Sequence, residues 1–305
     1  MTKDKIFTNS IFVAIAALFC CALWGSATPF IKTGYELVLL KNDVPSTILF
    51  AGCRFFLAGI FTVIIYSIAR KKLLLSKKNS IANVIKLSFF QTIIQYMFFY
   101  IGLANTSGVK GTVESGSSAF FALLVASLIF KQEKLTLKKI TACVLGFGGI
   151  ILLNFKGLDF KMNFFGDAFV LFSGISLAFS SVMVKSYSKT EDPVVLSGYQ
   201  FVFGGAVMII IGILFGGRIT LQSAVGVGIL IYLAFLSAAA YSIWGLLLKY
   251  NPVSKITIYN FTTPVLGVIL SKIMLAEQSN VSAINLILTL VLVSGGIILL
   301  NYRKS

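Results

Sequence analysis

Glu114 stands in the small-residue stretch GTVESGSS, residues 111–118. Small neighbours leave room beside its carboxylate, which could bind an ammonium group or exchange a proton. The plainer reading pairs it with Lys110 one helical turn away, or lets it snorkel to an interface. Arg54, Lys272, Lys32, Lys185 and Asp167 are the other ionisable residues within or at the ends of long apolar runs. If those runs lie in lipid, each charge is costly and is a functional candidate by default. Arg54 is expected to be structural, donating to backbone carbonyls or to a carboxylate between helices, with solute contact the second reading. Lys272 can reach an interface along its stem. Lys32 and Lys185 each close a run, which makes them candidate gates or ordinary partners of helix C-terminal dipoles.

Aromatic residues with a polar handle form a second group: Trp24, Tyr96, Tyr100, Tyr241, Trp244 and Tyr259. Such groups are poorly placed among lipid tails at mid-membrane. Tyr96/Tyr100 and Tyr241/Trp244 fall at helical spacing. They suggest an aromatic-walled pocket for apolar or cationic solutes, with an interfacial belt or plain packing as the alternative. Gln91 and Gln95 lie four apart. Ser115, Ser117 and Ser118 match Asn260, Thr262 and Thr263 in a second stretch, and such residues either line a wet interior or glue helices together. Pro264 frees a backbone carbonyl where a hinge or solute contact could form. Gly212 and Gly216 form a GxxxG pair suited to close packing. Cys20, Cys21, Cys53 and Cys143 read as small buried hydrophobes without disulfides.

These groups must be held by membrane helices. The chain has 305 residues, 57% hydrophobic and 12% charged, far from the roughly 25% charged residues of a soluble domain. A helix crosses a bilayer with about 20 apolar residues. Ten such runs can be marked: 11–31, 47–69, 83–103, 112–130, 140–155, 167–185, 194–215, 225–248, 256–275 and 285–301. Short alternating segments of the β-barrel kind are not seen. The net charge of +16 reads as loop charge facing anionic lipid rather than a nucleic-acid footprint. With the N-terminus inside, eighteen Lys and Arg fall on the cytoplasmic side and six (Lys32, Lys41, Lys110, Lys156, Lys161, Arg218) outside. Both termini are therefore expected in the cytoplasm, with the chain in the plasma membrane.

The runs also repeat. LFCCALWGSATPFIK (18–32) aligns with LFSGISLAFSSVMVK (171–185), GCRFFLAG (52–59) with GYQFVFGG (198–205), and GGIILLN occurs at 148–154 and again at 295–301. Glu133 and Glu277 precede the two tails at matching places. Each copy, 11–155 and 167–301, holds five spans, an odd number, so the second must sit inverted relative to the first. Inverted repeats are how many secondary transporters build inward- and outward-facing states.

Leu23-Trp24-Gly25-Ser26 in the first span, Arg54-Phe55-Phe56 in the second, and Pro264 followed by Glu277 resemble the drug/metabolite transporter superfamily, specifically its EamA branch of ten-helix carriers. The resemblance covers essentially the whole chain. It implies an all-α membrane fold of two inverted five-helix repeats, a cavity lined by spans 1, 3, 4, 6, 8 and 9, and export of amino acids or related metabolites. Phe120 stands where the family's first proline would fall, so span 4 is expected to lack the kink that Pro264 offers span 9.

The leading reading is a secondary carrier of small organic solutes working by alternating access, proton-coupled or exchanging. Import of a nucleoside-like or quaternary-amine nutrient is the alternative, and a membrane enzyme or non-transporting scaffold is a different class. No GxxxxGK[ST] nucleotide loop, no His and no paired-carboxylate motif occur. No catalytic residue, metal or cofactor is expected.

Overall fold

In lipid, every backbone N–H and C=O must be satisfied within its own segment, so apolar runs of this length become helices. The computed structural model describes residues 3–41, 43–76, 80–106, 108–155, 163–275 and 282–301. Glu277, Lys77, Lys78, Lys156, Lys161, Arg303 and Lys304 lie outside them. Ten helices are long and apolar enough to cross a membrane: α1 Ser10–Val38, α2 Val44–Arg70, α3 Ile81–Asn105, α4 Lys110–Ile129, α5 Leu137–Asn154, α6 Phe164–Tyr187, α7 Pro193–Leu214, α8 Ala224–Tyr250, α9 Val253–Ile273 and α10 Ile284–Asn301. A short helix, Lys3–Thr8, precedes them. Among the described residues no strand forms, only an isolated bridge between Leu39 and Ile219.

Helix starts follow local chemistry. Asn9, Asp43, Thr136, Asp192 and Ser223 each cap a helix, accepting from backbone N–H groups of its first turn, which would otherwise have no partner. Hydrogen bonds from Ser46 hold the Asp43 carboxyl below the ordinary carboxylate range. Large apolar residues such as Ile15, Ile68, Ile213 and Ile298 are exposed, as expected of faces that meet lipid tails. The four cysteines are unpaired, three of them buried.

Helix α1 runs on through Pro29 to Val38, seven residues past its expected end. Lys32 is consequently an exposed residue within the helix rather than its terminal cation. The expected GxxxG pair also divides. Gly212 packs against Leu49, whose backbone nitrogen stands 2.8 Å from where a methyl on Gly212 would sit, whereas Gly216 adopts φ +83° just after α7 and turns the chain.

The packing pairs the two sequence repeats. Helix α2 lies along α7 and α5 along α10; α1 packs on α8 and α9, and α6 packs on α3 and α4. The α2–α7 seam is close. A methyl on Gly59 would stand 2.5 Å from Val202 N and 2.6 Å from Gly198 O; one on Gly205 would overlap Phe56 N and stand 2.9 Å from Gly52 O. In GCRFFLAG and GYQFVFGG, Gly59 corresponds to Gly205, Val202 to Phe56 and Gly198 to Gly52, so each contact is the image of the other. Between them the matching rings of Phe55 and Phe201 stack at 5.2 Å. The α5–α10 seam repeats the pattern. Gly149 faces Thr289 O and its counterpart Gly296 faces Ala142 O, the carbonyl that corresponds to Thr289 O.

Candidate solute-binding site

The aromatic candidates converge from three helices. Trp24 of α1 meets Tyr241 at 5.2 Å and Trp244 at 4.9 Å, both edge-on from α8. Tyr96 of α3 shares a hydrogen bond of 2.9 Å with the Tyr241 hydroxyl and lies 6.0 Å from the Tyr100 ring. Trp24 sits at the middle of α1, and Tyr96 and Tyr241 lie at least nine residues from either end of their helices, so the group forms a central cluster. Trp24 Nε1 is buried with no acceptor.

Arg54 belongs to the same cluster. It is the eleventh residue of α2 and 3% exposed, too deep to snorkel. Its Nε–H donates to Ser237 Oγ of α8 at 3.0 Å, and Ser237 in turn donates to Leu233 O. Its charge acts on Tyr35, Tyr96, Tyr100 and Tyr241. Among the described residues no carboxylate forms an ion pair with it. The expected carbonyl-bonded structural clip is thus only one hydrogen bond to a serine. Sequence reasoning missed Tyr35, Phe55, Phe201 and Ser237. The repeat alignment did mark Phe55 and Phe201 as counterparts, which was the available signal.

Glu114 is elsewhere. Lys110, its anticipated partner, is ion-paired with Asp167 at the start of α6. Asp167 also accepts from Thr106 Oγ1 at 2.5 Å and from Asn163 N at 2.8 Å. Glu114 stands within electrostatic reach of both members of the pair. Two carboxylates around one ammonium can hold or release a proton, as acidic relays in transporters do. Ser118, on the same helix, packs against Gly174 of α6.

The polar residues of α9 make a third group. Cys21 Sγ of α1 donates to Tyr259 O at 3.2 Å, and Thr262 Oγ1 donates to the same carbonyl at 2.7 Å. Asn260 Oδ1 is buried without a donor, and Thr263 lies beside Cys21. Tyr259 does not join the aromatic cluster. It lines a crevice of about 380 Å³ with Ile11, Leu18 and Ile297. Gln91 and Gln95 are both buried in α3, the first within a π-helical turn, Phe89–Ile94. Lys272 is exposed near the end of α9, consistent with a snorkelling stem.

One face of the bundle is tied by polar contacts, three of them between the two repeats. Lys185 Nζ donates to Leu248 O and Asn251 O, 3.2 and 2.6 Å away, at the end of α8, the dipole-partner role. Glu133 accepts from Ser254 N at 3.0 Å, opening α9, and from Lys139 Nζ at 2.5 Å. Asn83 donates to Glu191 and Tyr66 to Asp192, both at 2.7 Å.

The model of the EamA-like transporter family matches residues 11–155 and again residues 164–302. The chain belongs to the EamA-like transporter family. It is similar to a WAT1-related chloroplastic protein of Arabidopsis thaliana, 26% identical across 87% of this chain and 66% of that protein. The chain therefore spans just under two thirds of the plant relative's length. An uncharacterized transporter of Archaeoglobus fulgidus is 27% identical over 83% of this chain and 87% of its own. The uncharacterized transporter YvbV of Bacillus subtilis is 25% identical over 95% and 92%. A solved crystal structure matches with a TM-score of 0.77 at 16% identity, covering 94% of this chain and 96% of that one. That likeness establishes the ten-helix fold of this EamA-like transporter.

Proposed function

We propose that this EamA-like transporter is a secondary carrier working by alternating access between two inverted halves, 11–155 and 167–301. We place it in the plasma membrane with both termini in the cytoplasm and assign it efflux of amino acids or related metabolites. The observation that carries the mechanism is the reciprocity of the α2–α7 and α5–α10 seams, where the contacts of Gly59 and Gly205, and of Gly149 and Gly296, are images of each other. Two halves of equal design can exchange conformations, which gives inward- and outward-facing states of similar energy.

In this reading the central cluster of Trp24, Tyr96, Tyr100, Tyr241 and Trp244 receives the solute, with Gln91, Gln95 and Asn260 as polar contacts. Glu114, with Lys110 and Asp167, couples a proton to transport. Glu133 and Lys185 hold the cytoplasmic face shut when the outer face opens. The direct test is counterflow in proteoliposomes loaded with single unlabelled amino acids. Entry of the labelled counterpart supports carrier activity and the substrate class together. Exchange confined to nucleosides or quaternary amines would leave the carrier and remove the amino-acid assignment.

A further inference from the structure

We infer that Arg54 is the anchor for a carboxylate of the transported solute, so that the site selects organic acids and zwitterions with an apolar or aromatic body. This rests on the central cluster being the solute site.

The first support is the isolation of the charge. Arg54 is 3% exposed in the middle of a spanning helix. A guanidinium carries five N–H donors in a fixed fork, yet only Nε is used, toward Ser237. Five of the described carboxylates have other work: Asp43 caps α2, Asp167 holds Lys110, Glu133 holds Ser254, Glu191 holds Asn83 and Asp192 holds Tyr66. Glu114 stands by the Lys110–Asp167 pair. A buried cation without a counter-ion is costly in a membrane and is kept where function needs it.

The second support comes from the other half of the molecule. The counterpart of Arg54 in GYQFVFGG is Gln200. Gln200 is fully buried, and its Oε1 accepts from Thr92 Oγ1 of α3 at 2.7 Å. Thr92 stands 145 residues before Ser237, the spacing that also separates Tyr96 from Tyr241. Arg54–Ser237 joins α2 to α8 where Gln200–Thr92 joins α7 to α3. A neutral amide suffices to tie the helices at one crossing, so helix tying does not account for the charge at the other.

The third support is chemical fit. The arginine fork matches a carboxylate with two parallel hydrogen bonds. Its guanidinium lies over the Phe55 ring at 5.1 Å and within electrostatic reach of Tyr96 and Tyr241, which Trp24 joins through Tyr241, a wall suited to an apolar body. The Trp24 Nε1 donor, buried and unused, adds a second group that favours an anionic acceptor. A cation with no carboxylate to place on the fork would meet Arg54 only as a like charge, which disfavours quaternary amines.

The test compares matched solutes on the full-length protein in detergent, by thermal stabilisation and by inhibition of counterflow. Phenylalanine and leucine are set against their amides and their decarboxylated amines. The expected result is that the acids act at concentrations at least about tenfold lower than the amides, a usual reward for one charge-assisted contact. R54K should narrow that ratio and R54Q should abolish it. S237A, which removes only the support for Nε, should narrow it less. Equal or better action of the amides on the wild-type protein overturns the anchor, and needs no variant to fold. Exchange of amines or neutral solutes in that case leaves the carrier reading standing, whereas absence of exchange with every solute class removes both.

Discussion

Helices α4 and α9 occupy the same place in the two repeats, 145 residues apart at the break, and both are broken, but with different residues there. In α4 the helix Gly108–Gly116 stops at Ser117, whose N–H and Oγ both donate to Glu114 O, at 3.0 and 2.5 Å. In α9 a 3-10 turn, Ile258–Phe261, occupies the corresponding four residues before the helix resumes at Thr262. The absence of proline at Phe120 thus did not leave α4 continuous. A hydroxyl bonding back to the carbonyl three residues earlier closes both breaks, through Ser117 in one half and Thr262 in the other. Pro264 falls in the first turn of the resumed helix, where a missing N–H costs little. The break belongs to the architecture. What differs is its cargo: the carbonyl that accepts the back-bond belongs to Glu114 in α4 and to the buried Tyr259 in α9.

The largest effect is expected from removing that difference. Glu114→Gln should slow counterflow strongly and flatten its dependence on pH, while Tyr259→Phe at the matching site should keep the pH profile unchanged. A pH profile identical to wild type in Glu114→Gln would remove the coupling role. Next in size is the packing behind each break. Gly146 of α5 receives the fully buried Phe261 ring so closely that a methyl added there would overlap the ring, whereas one on Gly116 would meet only the terminal methyl of Ile150, at 2.5 Å. Gly146→Val should therefore cost about 1–3 kcal/mol, seen as a lower Tm in detergent. Gly116→Ala should cost under about 1 kcal/mol, because a side-chain end can move.

Smaller still are the hydroxyls. Ser117→Ala and Thr262→Val each remove one back-bond and should cost roughly 0.6 kcal/mol, the average for a polar contact within membrane helices. Similar losses in the two would support equivalent breaks; a large loss in one alone would not. Least of all is Pro264→Ala, expected to change stability by no more than about 0.5 kcal/mol and to leave exchange rates near wild type. A large loss there would restore the proline hinge that the α4 break argues against.

Much of this fold is legible in the residues. Apolar runs become ten spans because lipid leaves the backbone no other choice, and the repeated GGIILLN and Gly-x-x-Phe patterns mark the surfaces that pair. The site is legible by type more than by partner. Trp24, Tyr96 and Tyr241 are recognisable since each carries a polar handle within an apolar run, and they do meet. Arg54 is visible as a charge, but its contact with Ser237 spans 183 residues, and a serine in a helix announces nothing. Spacing along one helix pairs Glu114 with Lys110; the competing claim of Asp167 comes from another helix and has no trace in local periodicity. Tyr35 escapes notice because the apolar run of α1 fades seven residues before the helix ends, which leaves it in an expected loop.

The α2–α7 seam bears on how such a chain comes into being. Its contacts at Gly59 and Gly205 are mirror copies, each glycine meeting the counterparts of the residues its twin meets. A half-length polypeptide would already own both surfaces, so two copies inserted in opposite directions could assemble the same seam with no new chemistry. Fusion would then supply proximity alone. Two fragments severed between Asn154 and Phe164 should still find each other in the bilayer, as complementing pieces of one carrier.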